Sequence, residues 1–307
     1  MGKFIVRRLL QMIPVILGTT FLIFMMVYAL PGDPTDGRCG QRPCPPQYVE
    51  AFRREYNLDK PVIVQYLLYL AKLLTGDFGT AYNGKTVLHE LSIRYPVTIK
   101  LALIAIAIEA VIGIAAGILA AIRKGKFIDN LVTVSTLLLI SFPVFVIGGL
   151  CQLVFGLQLG WFPVTATEGT WEQLVLPGIV LASLSVAYTA RLTRTSLVEN
   201  LRADYVRTAR AKGLTVPRTI AVHALRNSLI PVVTYIGASF GALMGGAIVT
   251  ERIFNINGIG GYIYKSIHDR DGTALVGTVL CLVVVYLVVN LLVDILYGVL
   301  DPRMSHD

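Results

Sequence analysis

Residues 204–231 read DYVRTARAKGLTVPRTIAVHALRNSLIP, a basic segment set between two long apolar runs. From Arg202 to Lys212 there is no Gly or Pro and a high share of Ala and Arg; both are strong helix formers, so the stretch predicts a short helix. Gly213 follows a basic last turn carrying Arg210 and Lys212. Glycine adopts the left-handed backbone that ends helices, and the cations sit near exposed carbonyls. Thr215 is placed to cap the next helix through its hydroxyl, and Pro217 needs no donor in a first turn. The order is helix, elbow, helix. Ala209 and Ala211 beside the elbow leave the backbone approachable, which suits insertion into a cleft of another protein.

Around this segment the chain is strongly apolar. Of its 307 residues 55% are hydrophobic and 15% charged, and the mean hydropathy is +0.68, outside the range of soluble globular domains. The net charge of +8 does not point to nucleic acid, because the positive residues gather at the ends of apolar runs, where membrane orientation explains them. A hydrocarbon core of ~30 Å needs ~20 apolar residues. Six runs qualify: 9–30, 101–122, 131–155, 174–192, 229–250 and 274–300. Lys3, Arg7 and Arg8 precede the first run, Arg123, Lys124 and Lys126 separate the second and third, and eight Arg or Lys fall between 191 and 226. Segment 156–173 has neither. The positive-inside rule therefore places both termini and the 193–228 loop in the cytoplasm. The first run lacks a small-residue cleavage site and is expected to be a retained helix rather than a signal peptide.

Ala209, Gly213 after three intervening residues, and Ile230-Pro231 opening an apolar run resemble the cytoplasmic EAA loop of ABC importer permeases. The generic motif opens Glu-Ala-Ala where this chain has Arg207-Thr208-Ala209, and its Gly-to-Pro interval is shorter. YVRTARAKGL and HALRNSLIP resemble the dipeptide/oligopeptide/nickel branch of that family. So do RRLLQMIPVILGTTFLIFMMVYALPGDP near the start, GDFGTAYNGKTVLHEL in the first loop and LLVDILYGVLDPR near the end. The resemblance implies an all-α polytopic membrane protein with six transmembrane helices, a cytoplasmic coupling helix and an extracytoplasmic module after the first helix. The expected divisions are 1–30, the module 31–96, a permease core 97–303 and a cytoplasmic tail 304–307.

The resemblance further implies a non-catalytic subunit of the cell membrane that imports short peptides by alternating access. Its partners would be a second, homologous permease, two cytoplasmic ABC ATPase subunits and an extracytoplasmic substrate-binding protein. ATP and magnesium would be bound by the ATPases, with no cofactor or metal on this chain. Asp204, Tyr205, Arg207, Thr208, Ala209, Ala211, Lys212, Gly213 and Leu214 would engage an ATPase subunit. Dipeptides, longer peptides, nickel chelates and haem remain open as solutes.

Within 31–96, YVEAFRREYNLDKPVIVQYLLYLAKLL has helical periodicity with a break at Asp59-Lys60-Pro61, and the module is expected to cap the entrance. Cys39 and Cys44, spaced as CGQRPC on the oxidising side, are candidates for a short-range disulfide. Cys151 and Cys281 lie inside apolar runs as packing residues.

Two enzyme motifs match by letter only. Gly79 to Thr86, GTAYNGKT, fits G-x-x-x-x-G-K-[ST], but a phosphate loop needs a buried strand before it, and here a helix-like run precedes it outside the cell. A tight glycine turn is the better account. Gly237 to Gly241, GASFG, fits a nucleophile elbow, yet it lies within a membrane helix, where small residues serve close helix packing. Gly113 and Gly117 offer a second such face.

Ionisable residues inside spans are costly and mark candidate sites. Glu109 in the second run and Asp294 in the last are the clear cases, each with an internal hydrogen-bonded packing role as an equal alternative. The resemblance makes Met244 and Glu251 further pathway or gate candidates, Glu251 lying with Arg252 and the GIGGY turn at 258–262 where the fifth run leaves the membrane. The alternative function is an ion-coupled secondary transporter using Glu109 and Asp294.

Overall fold

A computed structural model describes residues 2–28, 44–55, 57 and 59–300. These are helical apart from loops and one isolated bridge between Thr80 and Thr86. In chain order the helices are α1 (Gly2–Tyr28), α2 (Pro46–Glu55), α3 (Val62–Leu74), α4 (Val87–Ile122), α5 (Phe127–Ser141), α6 (Val144–Gln158), α7 (Val175–Asn200), α8 (Asp204–Ala211), α9 (216–253), α10 (Ile259–His268) and α11 (Gly272–Leu300). The protein is thus an all-α polytopic membrane protein. Among the described residues five helices are long and apolar enough to cross a membrane, and a bent pair makes a sixth crossing if it is counted as one.

That bent pair corrects the continuous third span expected over 131–155. α5 and α6 meet at 105°. Phe142 is extended, with φ −95° and ψ 134°, because it precedes Pro143, whose ring disfavours helical backbone in its predecessor. An arm of 15 residues rises only ~22 Å, short of a ~30 Å core. The second arm is tied to the end of α9 by Gln152, whose amide donates to Val164 O at 2.9 Å and Ile253 O at 3.0 Å.

The second span also differs from expectation. It begins at Val87 rather than near residue 101 and runs for 36 residues, ~54 Å and so longer than a ~30 Å core, with residues 87–96 as its first turns. The chain breaks at Pro61 as anticipated, and α3 then lies along α1: the Tyr66 hydroxyl donates to Leu17 O at 2.9 Å and is 2.7 Å from the Thr20 hydroxyl. Phe21 and Phe24 pack on the same ring. Cys44 is disulfide-bonded and Cys151 and Cys281 are free thiols. Cys39 and the tail 304–307 lie outside the described residues.

α7 is the hub, packed against α4, α5, α6 and α9. Close approach explains the small residues. A Cβ on Gly117 would sit 2.5 Å from Thr193 Cβ, and one on Gly113 2.8 Å from Thr189, so this face of α4 seats α7. Gly237 and Gly241 do the same for α11, meeting Val293 and Tyr286. The GTAYNGKT stretch is a turn. The Tyr82 N–H donates to Asp271 at 2.6 Å, and Thr86 caps α4 by accepting from the His89 N–H.

Candidate functional site

Side chains of interest gather at the two ends of the bundle and at one point between. At the end where α4 leads into α5 and α7 into α8, the short helix α8 is seated by Val206, fully buried, and Ala209, 6% exposed. Val206 packs with Ala121, Leu197 and Ala224 from α4, α7 and α9. The elbow has the expected conformation: Gly213 has φ +82°, and its N–H donates to Arg210 O at 2.9 Å. Asp204 lies in the first turn of α8 and Arg210 in the last, both favourable to the helix dipole.

Two details are corrected. Ala209 does not leave the backbone open to a partner, because its side chain faces the chain's own core. Thr215 occupies the capping position, but its hydroxyl makes no cap bond; instead its carbonyl accepts the Thr219 N–H and hydroxyl at 2.9 and 3.0 Å. The outward strip is formed by Asp204, Tyr205, Arg207, Thr208, Arg210, Ala211, Lys212 and Gly213, all exposed, with Leu214 half-buried behind them. Asp204 and Arg207 pair on this strip.

Beside the seat lies a clamp that sequence reasoning missed. Arg194 on α7 donates from Nε and Nη2 to the two oxygens of Asp129 at 2.5 and 2.8 Å, and the Gly125 N–H adds a third bond at 2.8 Å. The two-point geometry matches the guanidinium fork to the carboxylate. Asp129 lies three positions after Lys126 of the basic cluster 123–126, which offered a weak local signal; its partner is 65 positions away.

Midway along the bundle Glu109 opens a π-helical turn in α4. Its Oε1 accepts from Thr189 on α7 and its Oε2 from Ser239 on α9, each at 2.8 Å, and the residue is fully buried. The serine of GASFG is therefore spent on a packing contact. Asp294 lies on α11, its side chain outside the described residues.

At the opposite end Met244 and Glu251 are both buried in the isolated chain. Thr98 on α4 donates to Glu251 Oε1 at 2.6 Å and accepts from the Ile259 N–H at 2.9 Å, while the Gly261 N–H donates to Oε2 at 2.8 Å. Glu251 thus gathers α4, α9 and α10. GIGGY, expected as a turn, is the N-cap and first turn of α10, and its glycines answer to this crowding. A Cβ on Gly258 would lie 2.3 Å from Glu251 Oε1, and one on Gly260 2.4 Å from Ile248 Cα. Above the carboxylate is a cleft of about 280 Å³ lined by Arg94, Arg252, Asn255, Tyr264, Lys265 and His268, among others. The Arg94 guanidinium lies 4.4 Å from the Tyr262 ring centre and that of Arg252 4.5 Å from Tyr264. Arg94 also pairs with Glu90. Thr98 carried no sequence signal, since its partners Glu251 and Ile259 are more than 150 positions away; Arg94 and Lys265 were likewise missed, because the cleft they line forms only when α4 meets α10.

The chain matches the family described as binding-protein-dependent transport system inner membrane component over residues 113–306. Residues 1–102 match the N-terminal family of such membrane components. It is 38% identical to the di/tripeptide transport system permease protein of Pseudomonas aeruginosa (strain UCBPP-PA14), covering 100% of this chain and 99% of that relative. Identity is 36% to the dipeptide transport system permease protein of Alkalihalophilus pseudofirmus, with 100% of both covered. It is 35% to the glutathione transport system permease protein of Escherichia coli (strain K12), again over 100% of both.

Proposed function

Since the chain belongs to the inner-membrane components of binding-protein-dependent transport systems, we propose that it takes up di- or oligopeptides as one of two permease subunits around a shared pathway. It is a permease subunit of an ABC importer, and such subunits work with a partner permease, ATPases and a substrate-binding protein. Here the partner is proposed to be a second, homologous permease, with two ATPase subunits binding ATP and magnesium in the cytoplasm and α8 docking into one of them. Both termini and α8 face the cytoplasm, and the cleft end faces outward; the basic loops at the α8 end support this orientation. The peptide assignment draws on the names of the relatives.

The observation that carries the coupling reading is α8 itself. Its apolar side is buried against α4, α7 and α9, and its outer strip is polar and exposed. Motion of a docked ATPase would be passed to α7 and α9, which run the length of the bundle to the outer end. Alternating access then follows from rocking of these helices. The ion-coupled alternative draws less support, because both Glu109 oxygens are already occupied by hydroxyl donors. The deciding experiment reconstitutes the purified assembly in vesicles and follows labelled dipeptide. Uptake that requires ATP, the ATPases and the binding protein is the expected result. Uptake by the lone chain under an ion gradient would replace this function with the ion-coupled one.

A further inference from the structure

The cleft at the outer end has the chemistry of an anion site. Arg94, Arg252 and Lys265 bring three cations to it, joined by His268. Arg94 is already paired with Glu90, but among the described residues Arg252 and Lys265 have no carboxylate within ion-pair distance. The one carboxylate among the lining residues, Glu251, is fully buried beneath the floor, with its oxygens held by Thr98 and the Gly261 N–H. It is bound from the protein side and offers the cleft cations no exposed partner. The stacking of Arg252 on Tyr264 restricts where its guanidinium points and leaves the edge of its fork for a planar anion.

We propose that this cleft, with Arg252 and Lys265 as its principal cations, binds the terminal carboxylate of the incoming peptide before it enters the pathway. The proposal rests on the peptide-permease function above. Size agrees: about 280 Å³ falls just below the ~300–1,000 Å³ of pockets that enclose drug-sized ligands, fitting the end of a short peptide. Shape agrees as well, since the cations line a concavity, whereas a protein surface would engage them more readily on a flat or projecting face. Position agrees in turn, because the cleft and α8 lie at opposite ends of α9.

The test uses the complete transporter in lipid nanodiscs without its binding protein, with dialanine and its C-terminal amide as probes followed by saturation-transfer NMR. Dialanine binding by the wild type is expected, weakened at least tenfold by Arg252→Gln with Lys265→Gln and partly recovered by Arg252→Lys with Lys265 intact. The amide should bind the wild type no better than dialanine binds the double variant. Both residues are exposed, so an unchanged melting temperature will establish that the variants are folded. Equal affinity for acid and amide, unchanged dialanine binding by the double variant, or wild-type binding weaker than ~10 mM would each overturn the site. A tenfold loss of affinity for the loaded binding protein, with dialanine binding unaltered, would assign the cations to protein docking instead. ATP-dependent dialanine uptake by the wild-type assembly is measured separately. Its absence removes the peptide-permease function, whereas its presence with a failed binding test removes only this site.

Discussion

Ser239 donates its hydroxyl to Glu109 at 2.8 Å across 130 positions of chain. With Thr189 on the other oxygen, one carboxylate joins α4, α7 and α9 at full burial. A buried polar group is tolerated when its bonds are complete, and here each oxygen has a donor. The joint lies between the α8 seat and the outer cleft, on the helices proposed to carry motion from one to the other.

Replacing Glu109 separates a joint from an ion site. Glu109→Leu strands the buried Thr189 hydroxyl, while Ser239 can still donate to Ile236 O at 2.9 Å, and is expected to lose ~1–3 kcal/mol of stability, read as a lower melting temperature of the purified complex. Glu109→Gln keeps shape and hydrogen bonding, so ATP-driven uptake should persist within a few-fold. If Glu109→Gln abolishes uptake while melting is unchanged, the carboxylate carries charge in transport.

On α8 the burial pattern predicts two kinds of failure. Ala209→Trp forces a ring into the chain's own core, where overpacking typically costs ~1–3 kcal/mol, so the helix should unseat and become sensitive to protease. Ala211→Trp changes only the exposed strip; the permease should stay folded while stimulated ATP turnover and uptake fall together. Gly213→Val, at φ +82°, should show the coupling defect with a strain of ~1–3 kcal/mol. Normal turnover in Ala211→Trp and Gly213→Val would remove α8 as the coupling element.

The clamp between Arg194 and Asp129 should tolerate no loss of its fork. Arg194→Ala leaves a carboxylate whose side chain is 4% exposed with only the Gly125 N–H. Because the arginine is itself partly exposed, a destabilisation of ~1–3 kcal/mol is anticipated rather than the full cost of a buried pair. Arg194→Lys should recover only part of it, since an ammonium cannot make the two parallel bonds. Thermal unfolding of both variants beside Asp129→Asn gives the comparison.

Glycines on two successive helices should behave oppositely. Gly260→Ala places a Cβ 2.4 Å from the Ile248 backbone, which cannot move aside as a side chain would, so assembly of α9 with α10 should fail. Gly245 has nothing within 4 Å of the same atom, and Gly245→Ala should be neutral or gain ~0.5–1 kcal/mol from helix propensity. Yields of folded complex in detergent distinguish the two.

Much of the architecture is a local matter and could be read without coordinates. Apolar run length sets which segments cross a membrane, the basic loops suggest which end faces inward, and Gly213 and Pro61 stop their helices through their own backbone chemistry. The inward side of α8 was also within reach: Val206 and Ala209 are three positions apart, one helical face, and their alignment outweighs the accessibility that small side chains suggested. Packing alone settled the rest. The bend of 105° has a local cause in Pro143, but its angle is held by Gln152 reaching Val164 and Ile253. Thr98 finds Glu251 from 153 positions away and Arg194 finds Asp129 from 65. Such partners depend on the rotation and register of helices against one another, and hydropathy along a chain is nearly blind to rotation when lipid and protein interior are equally apolar. Where α7 and α9 are apolar on every side, the glycine contacts and hydroxyl–carboxylate bonds select the faces that meet, and these exist only once the helices are packed.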